Sequence, residues 1–148
     1  MSDLRELYQQ VIIDHYKNPR NYRKLDSPTR TAEGYNPLCG DHYTFFVEMD
    51  GDQVKDIGFQ GSGCAISKAS ASVMSSVVKG KSREEIASLV EAFRQLVTGG
   101  KTTDDPRMER FAPFSGVASH PSRVKCAVLA WHTLKSAIEG EKEIVSTE

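Results

Sequence analysis

The run Tyr43-Thr44-Phe45-Phe46-Val47 is aromatic and β-branched, the turn signal Asp50-Gly51-Asp52 follows it, and a second, weakly alternating run extends from Val54 to Phe59. Side chains of this kind suit a pleated, half-buried surface, so the block predicts a β-hairpin. A third strand is expected just before Asn36-Pro37. Gly61-Ser62-Gly63 interrupts the extended pattern, and the chain beyond it reads as helix. One helix is expected from Cys64 to about Lys79, closed by Gly80. A second opens on the capping box of Ser82 and Glu85 and ends before Gly99-Gly100. A last one starts with Pro121 at its first position and places Val124, Val128 and Trp131 on one face. Ahead of the sheet, Leu4, Leu7, Tyr8, Val11 and Ile12 recur at helical spacing, with Ser2 as cap and Asn18-Pro19 as terminator. Residues 20–30 read as a surface connection. Residues 101–120 are polar, with a short helical turn around Arg107 to Phe111, and the charged tail after Gly140 is expected to fray. Strands first and helices afterwards predict an α+β fold.

At 148 residues the chain is read as one domain, 1–148. Nineteen basic against twenty acidic residues give a net charge of −1, which offers nothing to nucleic acid or an anionic membrane. Apolar runs last only a few residues, as at Ala127-Val128-Leu129-Ala130-Trp131, and the charged start MSDLRELYQQ has no apolar leader. A cytoplasmic, reducing setting is expected. Three cysteines, an odd number, then argue against a disulfide framework.

A lone free cysteine is most often an apolar filler. These three sit instead at junctions. Cys39 lies between Pro37 and Gly40, Cys64 at a strand-to-helix turn, and Cys126 in the second turn of the last helix. Helix N-termini stabilise a thiolate, which predicts lowered pKa values for Cys64 and Cys126. In an extended segment Cys39 and Asp41 would aim to the same side. Cys39, Asp41, Cys64 and Cys126 would complete a four-donor set of the kind zinc takes, although spacing alone does not separate such a set from three fillers. Among the histidines, His120 is the rival ligand. His132 is six residues beyond Cys126 and points elsewhere, His42 alternates away from Asp41, and His15 is expected half-buried or solvated. Arg123, three residues before Cys126, projects on nearly the same face, or is an ordinary solvated helix charge.

Taken together, NPLCGDHY, GSGCAIS and RVKCAVLAWHTL resemble the IscU/NifU-N-like iron–sulfur cluster assembly family, and LYQQVIIDHYKNPRN and SKASASVM extend the likeness over nearly the whole chain. Within that group the chain looks like the SufU type. Lys125 stands where scaffold-type relatives have histidine, the segment between the second and third cysteines is longer, and HPSRVK replaces an LPPVK-like motif. The resemblance implies a small three-stranded antiparallel sheet with about five helices packed against it and a metal site at one end. It implies bound zinc, persulfide sulfur accepted from a pyridoxal-phosphate-dependent cysteine desulfurase of the SufS type, and delivery to a downstream SufBCD-type scaffold. On this reading Cys39 is the acceptor thiol, and Cys64, Cys126 and Asp41 hold the metal with it. Arg123, or Lys125, offsets the negative charge. Two alternatives stand beside it: a scaffold that assembles a [2Fe–2S] cluster on the same cysteines, and a purely structural zinc-stabilised interaction domain.

Overall fold

The computed structural model describes residues 2–99, 105–140 and 144–146. Helix α1 (Ser2–Lys17) leads into strands β1 (Arg30–Asn36), β2 (Asp41–Asp50) and β3 (Gln53–Ser62). Helices α2 (Ala65–Val78) and α3 (Arg83–Gly99) follow, then a 3₁₀ segment (Pro106–Ser119), helix α4 (Pro121–Glu139) and strand β4 (Ile144–Ser146). The α+β reading and the hairpin are both present. Strand order is β3-β2-β1-β4, with β1, β2 and β3 antiparallel and β4 parallel to β1.

The sheet therefore has four strands, not three, and it is mixed. The fourth comes from the tail expected to fray: Glu33, Gly34 and Tyr35 pair with Ile144, Val145 and Ser146. Three paired residues give almost no periodicity, so charge dominated the sequence pattern there. Residues 141–143 and 147–148 of that tail lie outside the described residues.

Alternation on β2 turns Asp41, Tyr43, Phe45 and Val47 inward, where all four are buried. Tyr43, Phe45 and Val47 join Ala69, Val73 and Met74 of α2 and Leu129 and Leu134 of α4 in one core. Asp41 thus enters the protein on the same face as the apolar residues that follow it. The helices are closed as their sequences direct. Glu85 N–H donates to Ser82 Oγ at 3.1 Å in the capping box, and Gly140 ends α4 with φ 67°.

Three further expectations change. The polar stretch before α4 is not a single helical turn but fourteen residues of 3₁₀ helix. Its Met108, Phe111, Phe114 and Val117 are buried, and Phe111 meets Phe93 and Trp131 edge to face. Apolar residues at third positions match the three-residue turn, a spacing easily hidden among charges. Residues 100–104 of that stretch lie outside the described residues. On α1, Leu7 remains 55% exposed, and the buried contact is made instead by His15, whose Nδ1 lies 2.7 Å from Ser72 Oγ on α2. The connection after α1 is also more than surface. Arg20 N–H donates to Ser72 Oγ, and Asn21 Nδ2 donates to Ser75 Oγ.

Candidate metal centre

Asn36 and Asp41 face each other across the β1–β2 ladder, so residues 37–40 form a four-residue loop at the end of the sheet. Gly40 takes φ 72°, a left-handed conformation that glycine adopts without penalty. Cys39 rides on this loop, partly exposed, beside a Leu38 that is 67% exposed. Its approach to Asp41 comes from the turn, not from the extended geometry expected.

From the other side, α4 brings in Cys126, fully buried, with Sγ 3.2 Å from Cys39 Sγ. Both thiols are free, and the separation is far longer than a disulfide bond. Cys39, Asp41 and Cys126 each offer a ligand atom within 4.8 Å of the other two. Donors bound to one zinc at about 2.0–2.3 Å stand within about 4 Å of each other, so the cluster suits such an ion.

Cys64 lies next to this group but outside it. It caps the N-terminus of α2, its Sγ accepting from Ser67 N–H at 3.4 Å. Its link to the cluster runs through Asp41, whose Oδ1 accepts from Cys64 N–H at 2.9 Å and from Ser67 Oγ at 3.0 Å. Asp41 Oδ2 accepts from Asn36 Nδ2 at 3.2 Å. Tyr43 Oη, 2.9 Å from Ser67 Oγ, extends the network inward. The backbone at Gly63 comes so close that a Cβ there would lie 2.5 Å from Asp41 Oδ1 and 2.7 Å from both Ser67 Oγ and Tyr43 Oη.

The electrostatics also point to a cation. Burial pushes the Cys126 thiol up, and the hydrogen bonds to Cys39 and Asp41 and the charge of Cys64 push it further. The helix-terminus argument that predicted a lowered value for Cys126 fails because its sulfur lies in the second turn, buried beside other acids. Asn36 Nδ2 also reaches Cys126 Sγ at 3.5 Å, while Asn36 Oδ1 is buried with no partner among the described residues. A buried carboxylate, two adjacent sulfurs and an orphaned amide oxygen form a donor set to which a bound metal would add the missing positive charge.

Arg123 faces the thiols as the sequence spacing predicted. Its guanidinium is held further toward the charged form by Cys64 first, then by a hydrogen bond to Cys126, with Cys39 contributing. His120 lies at the start of α4 and is outside the ligand group; His42 is turned outward, 3.5 Å from Glu33. His132 is partly buried on α4.

Sequence reasoning passed over Asn36, Gly63, Ser67 and Tyr43. Asn36 opens the very stretch that carries Cys39, and Gly63 and Ser67 flank Cys64, so the signal was proximity to the cysteines.

Comparison with known proteins supports the same reading of the fold. The family model for the NifU-like N-terminal domain matches residues 7–146. The chain belongs to this family. An iron–sulfur cluster assembly scaffold protein IscU of Streptococcus pyogenes is 40% identical over 94% of this chain and 87% of its own. A zinc-dependent sulfurtransferase SufU of Bacillus subtilis is 39% identical over 95% of both chains. A solved structure from Fervidobacterium islandicum, described as a candidate scaffold protein for the SUF system, superposes with a TM-score of 0.82 at 34% identity, over 87% of this chain and 94% of its own. This NifU-N-like chain is thus an iron–sulfur cluster assembly protein by family. Among the described residues, no helix is long and apolar enough to cross a membrane.

Proposed function

We propose that this chain accepts sulfur from a pyridoxal-phosphate-dependent cysteine desulfurase of the SufS type and passes it toward cluster assembly, with zinc as its resident metal. The observation that carries the proposal is the inequality of the clustered sulfurs. Cys126 is fixed on a helix and buried, whereas Cys39 sits on a four-residue loop and is partly exposed. A group that merely held a metal would gain nothing from that difference.

Cys39, Asp41 and Cys126 would hold the ion, with Cys64 reaching it as the fourth donor. When bound, zinc supplies positive charge that keeps its cysteines as thiolates near neutral pH, where a free cysteine is only a few per cent ionised. The transfer belongs to Cys39. Its thiolate attacks the sulfane sulfur of the desulfurase persulfide, the donor's sulfur–sulfur bond breaks, and the desulfurase cysteine leaves as a thiolate. One thiolate is consumed and one released, and no outside oxidant or reductant enters. Arg123 stabilises the negative charge as it passes between sulfurs. Exposed Leu38 offers the loop an apolar contact for the docking enzyme. A SufBCD-type scaffold in the reducing cytoplasm is the recipient that this reading implies.

The scaffold alternative, a [2Fe–2S] cluster on the same sulfurs, draws support from the IscU relative. Lys125 before Cys126 favours the acceptor, because a scaffold site of the kind the resemblance describes would use a histidine there. The deciding experiment is Cys39→Ser. It should abolish stimulation of the desulfurase while leaving the chain folded and retaining much of its metal. After incubation of the wild type with desulfurase and cysteine, mass spectrometry should place the added sulfur on Cys39. Persulfide on Cys126, or turnover by Cys39→Ser, overturns the assignment.

A further inference from the structure

Asn36 is fully buried at the end of β1, directly across the ladder from Asp41 and at the base of the loop that carries Cys39. Its side-chain amide spends both of its bonds on the cluster. Nδ2 donates to Asp41 Oδ2 at 3.2 Å and to Cys126 Sγ at 3.5 Å. Its Oδ1 is left buried with no partner among the described residues. A buried carbonyl oxygen without a hydrogen bond opposes folding. Turning the amide over brings no relief. The oxygen would then face a carboxylate and a sulfur whose own proton is directed at Cys39. The side chain is thus set to serve Asp41 and Cys126 at its own expense.

The donors around it are supported unequally. Asp41 accepts from Cys64 N–H, Ser67 Oγ and Asn36 Nδ2. Cys126 accepts from Asn36 and from Arg123. Cys39 Sγ accepts from no N–H or O–H group among the described residues; only the Cys126 thiol reaches it. When Cys126 ionises to hold a metal, that proton is gone and Cys39 keeps no hydrogen bond. The Asn36 bond to Cys126, by contrast, becomes charge-assisted and stronger. Arg123 is exposed and shares its donors with water, whereas the Asn36 bond is sealed in the interior. A hydrogen bond to a ligating thiolate fixes its orientation and draws charge from the sulfur, which makes it the poorer nucleophile.

We infer that Asn36 is a positioning residue that commits Cys126 and Asp41 to the metal and thereby leaves Cys39 as the exchangeable sulfur. This role rests on the sulfur-acceptor reading, which supplies the exchange that Asn36 directs. It leaves Cys64 as a metal donor, tied to the same carboxylate through its backbone N–H.

The test replaces Asn36 with leucine, which is similar in size and has no donor, in the wild type and in Cys39→Ser. Chelator competition on the zinc-loaded proteins should show affinity about 10–100-fold weaker in Asn36→Leu. The loss should be at least as large in the Cys39→Ser background, where the metal depends more heavily on Cys126 and Asp41. The cobalt(II)-substituted proteins give a readout that a merely structural residue would not move. Without the amide N–H the Cys126 thiolate is richer in charge, so the thiolate-to-cobalt charge-transfer band should shift to longer wavelength. Because the bond is to Cys126, the shift should persist when Cys39 is serine. If leucine disrupts the fold by circular dichroism, Asn36→Ser, whose hydroxyl is too short to reach both acceptors, should give the same shifts. Unchanged zinc affinity, an unmoved band, or a shift that vanishes in Cys39→Ser would each overturn the inference. None of these measurements involves the desulfurase, so the two readings fail separately. If the desulfurase charges Cys39 but the band does not move, only the role of Asn36 falls. If the band moves as expected but the added sulfur maps away from Cys39, it is the sulfur-acceptor reading that falls.

Discussion

Replacing Asp41 with alanine separates two roles that the intact site combines, holding a metal and holding the fold. In the structure the carboxylate accepts from Cys64 N–H, Ser67 Oγ and Asn36 Nδ2 at 2.9, 3.0 and 3.2 Å. Ser67 could still turn to Tyr43 Oη, and Asn36 retains Cys126 Sγ. Cys64 N–H has no such second acceptor among the described residues. One donor left unmade costs about 1–3 kcal/mol, and weakening of the other two bonds brings the total to roughly 2–4 kcal/mol. For a chain of this size that corresponds to a fall in Tm of roughly 4–16 °C. The measurement is urea unfolding of metal-stripped wild type and variant, so that lost metal affinity cannot contribute. Asp41→Asn provides the contrast. Its oxygen can still accept from Cys64 and Ser67, and a turn of the Asn36 amide would present the unpartnered Oδ1 to the new NH₂ group. It should cost less than about 1 kcal/mol in the stripped protein, yet lower metal retention because an anionic donor is gone. Equal midpoints for wild type and Asp41→Ala would refute the hydrogen-bond argument, as would equal losses for the two variants.

Arg123→Ala should slow sulfur loading from the desulfurase while leaving the metal content at its wild-type value; unchanged loading kinetics would make Arg123 an ordinary helix charge. Chelation of the metal should lower Tm markedly, since a structural zinc site can contribute on the order of 10 kcal/mol, and coincident melting of the loaded and stripped forms would remove zinc from the account of stability. His15 and His132 both have pKa values lowered chiefly by burial. The unfolded chain therefore binds the protons first, and stability should fall as pH drops below about 6.5, levelling off below the folded values. Asp14 and Asp56 are held below the usual carboxylate value and add nothing to that window. Urea midpoints at pH 7.5 and 5.5 check this, with His15→Gln reducing the difference; a flat profile would contradict it.

The strands were legible because β2 combines aromatic and branched residues in one run bounded by a turn signal, and the alternation of its first residues carried Asp41 inward with Tyr43 and Phe45. The capping box and Pro121 marked helix starts by local chemistry that tertiary contacts did not override. The 3₁₀ segment was not legible, because its buried Phe111 and Phe114 recur at three residues among arginines and a proline. Strand β4 depends on β1 for its existence, and three residues cannot advertise a distant partner. At the site, junction placement selected all three cysteines. It could not show that Cys126 is buried beside Asp41, or that Cys64 is tied to the cluster through its backbone N–H. Those facts follow from the packing of α4 against the end of the sheet, which depends on contacts far apart in the chain.

Gly63 has a consequence for tolerance to change. Its φ is not in the left-handed region, so the constraint is space alone. Three oxygens that organise the centre converge on the place where a methyl group would be. In a survey of every substitution along the chain, position 63 should rank with the cysteines in intolerance, although it donates no ligand, charge or side-chain bond. An inventory of chemical groups would pass over it, because what that residue contributes to the centre is an absence of atoms.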